Sequence, residues 1–308
     1  MLLAGFPPIA SGGGDRDIPD ARAPLWRRDS AGNRPVTFIE LSNLQKRILS
    51  AIVLIAIAIA LTWIGGFAFG ILASAIGLSV SYEWQLITAA RSTPLTRGLA
   101  WASLILVLGV LLLTQHVLLM IGLLFAGAAL VAVLGGRESG YWPAFGLIYS
   151  GFPSIALTLL RGDTGDGFAA ILFLFAVVWA TDIFAYFNGR ALGGPKLAPR
   201  FSPNKTWSGA LGGAAAGVAA GVIFAAFIAP AGGVPIPMIA LLLSIIAQIG
   251  DLGESWVKRK FGVKDSSHLI PGHGGVMDRV DGLVAAAALL YVIGAILVTP
   301  EAPYDILF

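Results

Sequence analysis

The chain has 308 residues, of which 57% are hydrophobic and only 12% are charged, and its formal net charge is +3. A mean hydropathy of +0.84 excludes an ordinary soluble domain, and the absence of cysteine excludes disulfides and thiolate metal sites. The sequence contains no basic patch rich in aromatic residues, so nothing in it indicates a nucleic-acid partner.

The first 40 residues are polar, irregular and rich in proline and glycine, and they lack the layout of a cleaved signal peptide. We interpret residues 1–40 as a disordered cytoplasmic tail whose arginines face anionic lipid, and residues 41–308 as a transmembrane domain. Apolar runs long enough to cross about 30 Å of hydrocarbon recur from residue 48 onward. The nine predicted spans are 48–64, 67–87, 99–114, 117–134, 142–160, 168–186, 209–228, 237–249 (helical to about residue 260) and 282–298.

The positive residues orient these spans. With the N-terminus in the cytoplasm, nine spans leave only Arg161 of the 20 lysines and arginines on the outer side. With eight or ten spans, the lysines and arginines would no longer gather on one side of the membrane. The predicted fold class is therefore all-α and polytopic, with a cytoplasmic N-terminus and a C-terminus outside. Glu83, near the cytoplasmic end of the second span, is interpreted as a carboxylate that snorkels to the surface.

A first group of polar residues lies in and after the sixth span. Asp182 interrupts an apolar run, where an ionisable residue is a functional candidate that faces the bundle interior, and it shares a helix face with Tyr186. The alternative is a buried aspartate satisfied by neighbouring helices. The loop 200–209 offers hydroxyls, an amide and a lysine, and the helix N-terminus after it would suit an anion.

The densest group of charges lies in residues 244–282. Where the eighth span leaves the membrane, one helix face carries Asp251, Glu254, Ser255 and Lys258. A turn at 271–275 follows, whose backbone N–H groups could approach phosphate oxygens closely because it is rich in glycine. It leads into Asp278, Arg279 and Asp281.

Carboxylates that hold Mg²⁺ beside cations that hold phosphates are what phosphoryl or nucleotidyl transfer requires. The simplest alternative is a basic loop that only anchors topology, but an anchor needs no carboxylates. A secondary transporter or channel is a rival of another class, yet the charges gather at one surface and no repeat is visible. A lipid or polyprenol kinase or phosphotransferase uses the same groups and stays open.

Five stretches of the sequence resemble one family. SWVKR at 255–259, KD at 264–265 and PGHGGVMDRVD at 271–281 resemble the signature of the phosphatidate cytidylyltransferases, the CDP-diacylglycerol synthases. WATDIFAYFNGR at 179–190 and SPNKTWSG at 202–209 are also similar to that family, except that Ser208 stands where the family commonly has glutamate. The resemblance covers residues 179–282, about a third of the chain.

The resemblance implies that CTP and phosphatidic acid give CDP-diacylglycerol and pyrophosphate with Mg²⁺, that Asp251 and Asp278 are the metal ligands, and that residues 41–308 are the cytidylyltransferase domain. The expected catalytic residues are Asp251, Lys258, Asp278, Arg279 and Asp281. The expected substrate-binding residues are Asp182, Ser202, Asn204, Lys205, Thr206, Glu254, Ser255, Arg259, Lys264, Asp265, His273, Gly274 and Gly275.

The expected partners are CTP, phosphatidic acid and membrane lipid, with no nucleic acid and with a homodimer left open. The expected location is a bacterial-type inner (cell) membrane, with the active site facing the cytoplasm.

The nine-span topology is testable with reporters. Because an odd number of spans separates the termini, a reporter that works only outside the cytoplasm should be active after Phe308 and silent at the N-terminus. A C-terminal reporter that works only in the cytoplasm and is active would contradict the nine-span prediction.

Overall fold

The structure is a computed structural model that describes residues 43–114, 116–139, 141–228, 235–270 and 274–308. The predicted cytoplasmic tail, residues 1–40, lies outside these ranges. The helices within them are α1 (Asn43–Ile64), α2 (Gly66–Ile87), α3 (Pro94–Leu113), α4 (Val117–Ser139), α5 (Tyr141–Arg161), α6 (Gly165–Leu192), α7 (Trp207–Ile228), α8 (Ile236–Lys260) and α9 (Met277–Leu297). Short 3-10 helices occupy Ala89–Arg91 and Pro303–Leu307.

Every predicted span corresponds to one of these helices. Among the described residues, α2 to α9 are long and apolar enough to cross a membrane, and α1 contributes a shorter apolar stretch, Leu49–Ile64. Large apolar side chains stand exposed along the outside of the bundle, as lipid contact requires. The protein is therefore an all-α polytopic integral membrane protein, as predicted. The side on which each terminus lies stays a prediction.

Glycines on α7 allow it to pack tightly against α6. A Cβ added at Gly213 would stand 2.7 Å from the carbonyl oxygen of Thr181, and one at Gly217 would stand 2.4 Å from the Thr181 hydroxyl. The same hydroxyl donates to Ser244 of α8 at 2.7 Å. Small residues of this kind permit close helix approach in lipid, and the approach brings α6, α7 and α8 together as one group.

The connection between α6 and α7 contains a small antiparallel hairpin that the sequence pattern did not predict. Strand β1 (Lys196–Ala198) pairs with β2 (Ser202–Thr206), with Lys196 opposite Thr206. The Thr206 hydroxyl accepts the backbone N–H of Gly209 at 3.1 Å and so caps the first turn of α7. The hairpin fixes the polar residues of β2 beside α8.

Arg161, the one exception to the predicted charge distribution, is buried. Its guanidinium donates to the carbonyl oxygens of Thr62 at 2.6 Å and Trp63 at 3.3 Å, at the end of α1, and to those of Gly162 and Thr164 at 3.1 Å each. These bonds satisfy carbonyls that a helix terminus and a turn leave without partners. The guanidinium of Arg161 therefore stabilises the fold, and its position is weak evidence about membrane topology.

Candidate functional site

A polar cavity of about 600 Å³ lies among α6, the hairpin, α7 and α8. Its lining residues are Asp182, Ala185, Tyr186, Gly189, Arg190, Lys196, Leu197, Asn204, Lys205, Thr206, Gly209, Ala210, Gln248 and Asp251. A second cavity, of about 610 Å³, lies among α4, α5 and α8, and none of its lining residues in the described chain is charged. Only the first suits a highly charged ligand, and it contains five of the residues predicted from the sequence.

An ion pair crosses the polar cavity from β2 to α8. The Lys205 ammonium contacts Oδ2 of Asp251, and Ser255 lies 3.5 Å from Oδ1 of the same carboxylate. The side chains of Lys205 and Asp251 are 30% and 34% exposed, so a ligand in the cavity can reach both. The i, i+4 neighbours Asp251 and Ser255 lie as the helix-face prediction requires.

Asp182 of α6 lines the same cavity. Its side chain is exposed there and forms no hydrogen bond or ion pair with another described residue. The alternative reading, an aspartate satisfied by neighbouring helices, does not describe this geometry. A carboxylate on a membrane-spanning helix without such a partner is available to a cation or a hydrogen-bond donor.

A second cluster lies where α8 ends and α9 begins. The Lys258 ammonium lies 2.8 Å from Glu254 and 2.5 Å from Oδ1 of Asp278. Oδ2 of Asp278 accepts the backbone N–H groups of Ser266 at 3.0 Å and Gly275 at 2.9 Å, and it lies 2.9 Å from the Ser266 hydroxyl oxygen. The end of α8 and the start of α9 are therefore held together by the Lys258 ammonium.

Glu83 is the residue whose predicted position was wrong. It does not snorkel: its carboxylate is fully buried (0% exposed) and accepts hydrogen bonds from four groups before and at the start of α9. The signal was present in the sequence, because Glu83 is an ionisable residue in an apolar run, just as Asp182 is.

The remaining predicted residues lie outside the two ion-pair clusters. Arg259 is exposed and donates to the carbonyl of Val263 at 3.1 Å, and Lys264, Asp265 and Arg279 are exposed as well. Ser202 pairs with Ala198 in the hairpin and does not line the cavity. His273 lies outside the described residues.

Gly274 and Asp281 each have a local backbone role. Gly274 has a φ of 83°, in the region that favours glycine, and its carbonyl accepts the N–H of Ile270 at 2.8 Å. Asp281, one turn into α9, accepts the N–H of Gly282 at 2.8 Å.

Three polar lining residues were not predicted from the sequence, namely Arg190, Lys196 and Gln248. Arg190 donates to the Tyr186 hydroxyl at 3.0 Å, one helical turn away on α6, and Lys196 adds a second cation from β1. Gln248 of α8 donates to the carbonyl of Ala210 at 3.3 Å. Its spacing of three residues from Asp251 would have identified it, because residues at i and i+3 share a helix face.

The donor set fits a hard divalent cation. Asp182 and Asp251 present carboxylate oxygens to one polar cavity, and Mg²⁺ is commonly bound by one or two carboxylates together with phosphate oxygens and water. Asp278 fits less directly, because donors already occupy both of its oxygens. Within the described residues no group of three or more histidine, aspartate and glutamate side chains could hold a metal by itself. A cation here would therefore need oxygens from its ligand.

The cavity thus combines three cations, Arg190, Lys196 and Lys205, with the carboxylates of Asp182 and Asp251. Mixed charge of this kind suits a polyphosphate that arrives with a divalent cation, because the cations bind phosphate oxygens and the carboxylates bind the metal. A single anion without a metal would meet two repelling carboxylates.

Comparison with known proteins gives a consistent result. A family model described as the cytidylyltransferase family matches residues 45–297. A phosphatidate cytidylyltransferase of Brucella suis is 59% identical over 268 residues, which cover 87% of this chain and 99% of that protein. A protein of the same name from Haemophilus influenzae is 34% identical over 276 residues, with 79% and 96% covered. One from Rickettsia felis is 38% identical over 156 residues, with 48% and 68% covered.

Proposed function

The chain is a member of the cytidylyltransferase family, and from this premise we propose that it transfers the cytidylyl group of CTP to phosphatidic acid, giving CDP-diacylglycerol and pyrophosphate. It is a nucleotidyltransferase of phospholipid biosynthesis. The observation that carries the proposal is the polar cavity, where cations and carboxylates from α6, the hairpin and α8 meet. Such a set of groups matches a nucleoside triphosphate with its metal.

In this reaction a phosphate oxygen of phosphatidic acid attacks the α-phosphorus of CTP. One P–O bond forms, the bond to the β-phosphate oxygen breaks, and pyrophosphate leaves with the bonding electrons. A phosphate monoester is largely ionised near neutral pH, so the attacking oxygen needs no strong general base. The protein must mainly position two anions and neutralise their charge.

The ion pairs supply that neutralisation by exchanging partners. Lys205 and Lys258 are paired with protein carboxylates, and phosphate oxygens compete for the same ammonium groups because they also accept charged hydrogen bonds. When phosphate replaces the carboxylates, Oδ2 of Asp251 and Oδ1 of Asp278 lose their lysine partners and would be the oxygens that hold a cation. Such a cation would supply positive charge beside the phosphates of CTP and the leaving pyrophosphate.

The solubility of the two substrates supports a site at the membrane surface. CTP dissolves in water and phosphatidic acid in the bilayer, so they meet at the headgroup level. We place the cavity at the cytoplasmic face of a bacterial inner membrane, because Arg190, Lys196 and Lys205 follow the distribution of positive residues expected on that side. The reporter fusions described above test this orientation.

The function is tested by labelling CTP at the α-phosphate in one experiment and at the γ-phosphate in another. Purified protein in lipid with Mg²⁺, phosphatidic acid and CTP labelled at the α-phosphate should place the label in CDP-diacylglycerol and release pyrophosphate. CTP labelled at the γ-phosphate should leave the lipid unlabelled. Transfer of the γ label to lipid would instead establish a kinase, and folded protein that transfers neither label would refute the proposal.

The shared-cation assignment is tested by Asp251→Asn and Asp278→Asn. Each change keeps the size of the side chain and removes an anionic ligand, so each should lower turnover by roughly 100-fold or more. The double variant should lose little beyond either single variant, because the two residues act as one unit.

Asp265→Asn is the matched control, since Asp265 is exposed in the same connection, and it should lower turnover much less. Membrane expression and thermal unfolding are measured for all variants, so that loss of fold is separated from loss of chemistry. Near wild-type turnover in either Asp251→Asn or Asp278→Asn would contradict the assignment.

A further inference from the structure

Glu83 of α2 holds the start of α9 by direct hydrogen bonds. Oε1 accepts the backbone N–H of Val276 at 2.8 Å, and Oε2 accepts that of Met277 at 2.7 Å. These are among the N–H groups that a helix N-terminus leaves without partners inside the helix, and a negative charge is favoured there. The contact joins residues that are 193 and 194 positions apart in the chain.

The same carboxylate holds the connection that precedes α9. Oε1 accepts the Ser267 hydroxyl at 2.6 Å, and Oε2 accepts the Ser266 hydroxyl at 2.9 Å. The Ser266 hydroxyl also lies 2.9 Å from Oδ2 of Asp278. Ser266 therefore stands between Glu83, which no solvent reaches, and Asp278, which contacts Lys258.

Gly275 shows how tightly this arrangement is packed. A Cβ at that position would stand 1.8 Å from the Ser266 hydroxyl oxygen and 2.6 Å from both carboxylate oxygens of Glu83. No side chain fits there, so the glycine of the signature is required by the approach of Glu83 as well as by any ligand. The N–H of Gly275 in turn donates to Asp278 at 2.9 Å.

We propose that Glu83 is a positioning residue for cytidylyl transfer, which acts through Ser266 and the first turn of α9 to fix the carboxylate of Asp278 opposite Lys258. The proposal rests on the proposed function for its reaction. Glu83 is fully buried, so its role is to act through the residues it holds. Its effect is to hold the Asp278 side chain in the one orientation in which Oδ1 faces the ammonium and Oδ2 faces the connection. Residues that orient a catalytic carboxylate in this way change turnover without contacting the reactants.

Glu83→Gln is the principal variant. It keeps the shape of the side chain but replaces one carboxylate oxygen, which accepts one backbone N–H and one serine hydroxyl, by an NH₂ group, so one backbone N–H loses its acceptor. We expect kcat per folded molecule to fall roughly 10- to 100-fold, while the KM for CTP changes less than about 3-fold. Amide hydrogen exchange in segments 263–270 and 274–280 should accelerate by roughly 10-fold or more, with exchange in α6 and α7 unchanged.

Gln85→Ala is the matched control on the same helix. Gln85 is also a buried polar residue of α2 (8% exposed), but its side-chain amide donates to Ser81 at 3.4 Å and not to the connection. It should retain wild-type kcat and wild-type exchange in both segments. A merely structural role for Glu83 would lower the yield of folded protein and leave kcat per folded molecule unchanged.

Two serine variants keep the proposal testable if Glu83→Gln does not fold. Ser266→Ala removes the hydroxyl between Glu83 and Asp278, whereas Ser267→Ala removes a partner of Glu83 that does not contact Asp278. Ser266→Ala should therefore lower kcat several times more than Ser267→Ala does. Equal kcat in the two serine variants, or wild-type kcat and exchange in folded Glu83→Gln, would overturn the proposal.

Failure of the proposed function gives a different result. If wild-type protein makes no CDP-diacylglycerol, the function is refuted, while the exchange measurement still decides whether Glu83 holds the connection. Unchanged exchange in Glu83→Gln refutes the positioning role whatever reaction the protein performs.

Discussion

A single ammonium group, that of Lys258, joins the end of α8 to the start of α9. It lies between Glu254, one helical turn before it, and Asp278 in the first turn of the next helix. Charges that leave bulk water are costly unless they are paired, and Lys258 meets that requirement by lying between the two acidic side chains. The ion pair between Lys258 and Asp278 thus joins the two helix ends, and the same two side chains take part in the proposed chemistry.

The N-terminal and C-terminal halves of the chain contribute unequally to the candidate site. The helices α6, α7 and α8 and the hairpin supply the polar cavity and its charged lining residues, whereas α1 to α5 form much of the apolar core. Glu83 is the exception, because it reaches from α2 into the connection before α9. The N-terminal half is therefore more than a lipid-facing support: it holds the residues on which the proposed active site depends.

The helices were predictable because hydropathy and length are local properties of the chain. The helix face with Asp251, Glu254, Ser255 and Lys258 was predictable for the same reason, since i, i+3 and i+4 spacing fixes its neighbours. The bonds of Glu83 were not, because their partners lie more than 180 residues away and no local pattern encodes such a contact. The hairpin was missed because β2 reads SPNKT, in which proline, asparagine and lysine do not favour a strand.

The exchange of partners by Lys205 and Lys258 is the central claim, and a structure determined in lipid with CTP and Mg²⁺ tests it most directly. We expect phosphate oxygens of CTP on both ammonium groups, with Oδ2 of Asp251 and Oδ1 of Asp278 bound to the cation and Oδ2 of Asp278 still held by the connection. A complex in which CTP is bound while Lys205 still pairs with Asp251 and Lys258 still pairs with Asp278 would contradict the account.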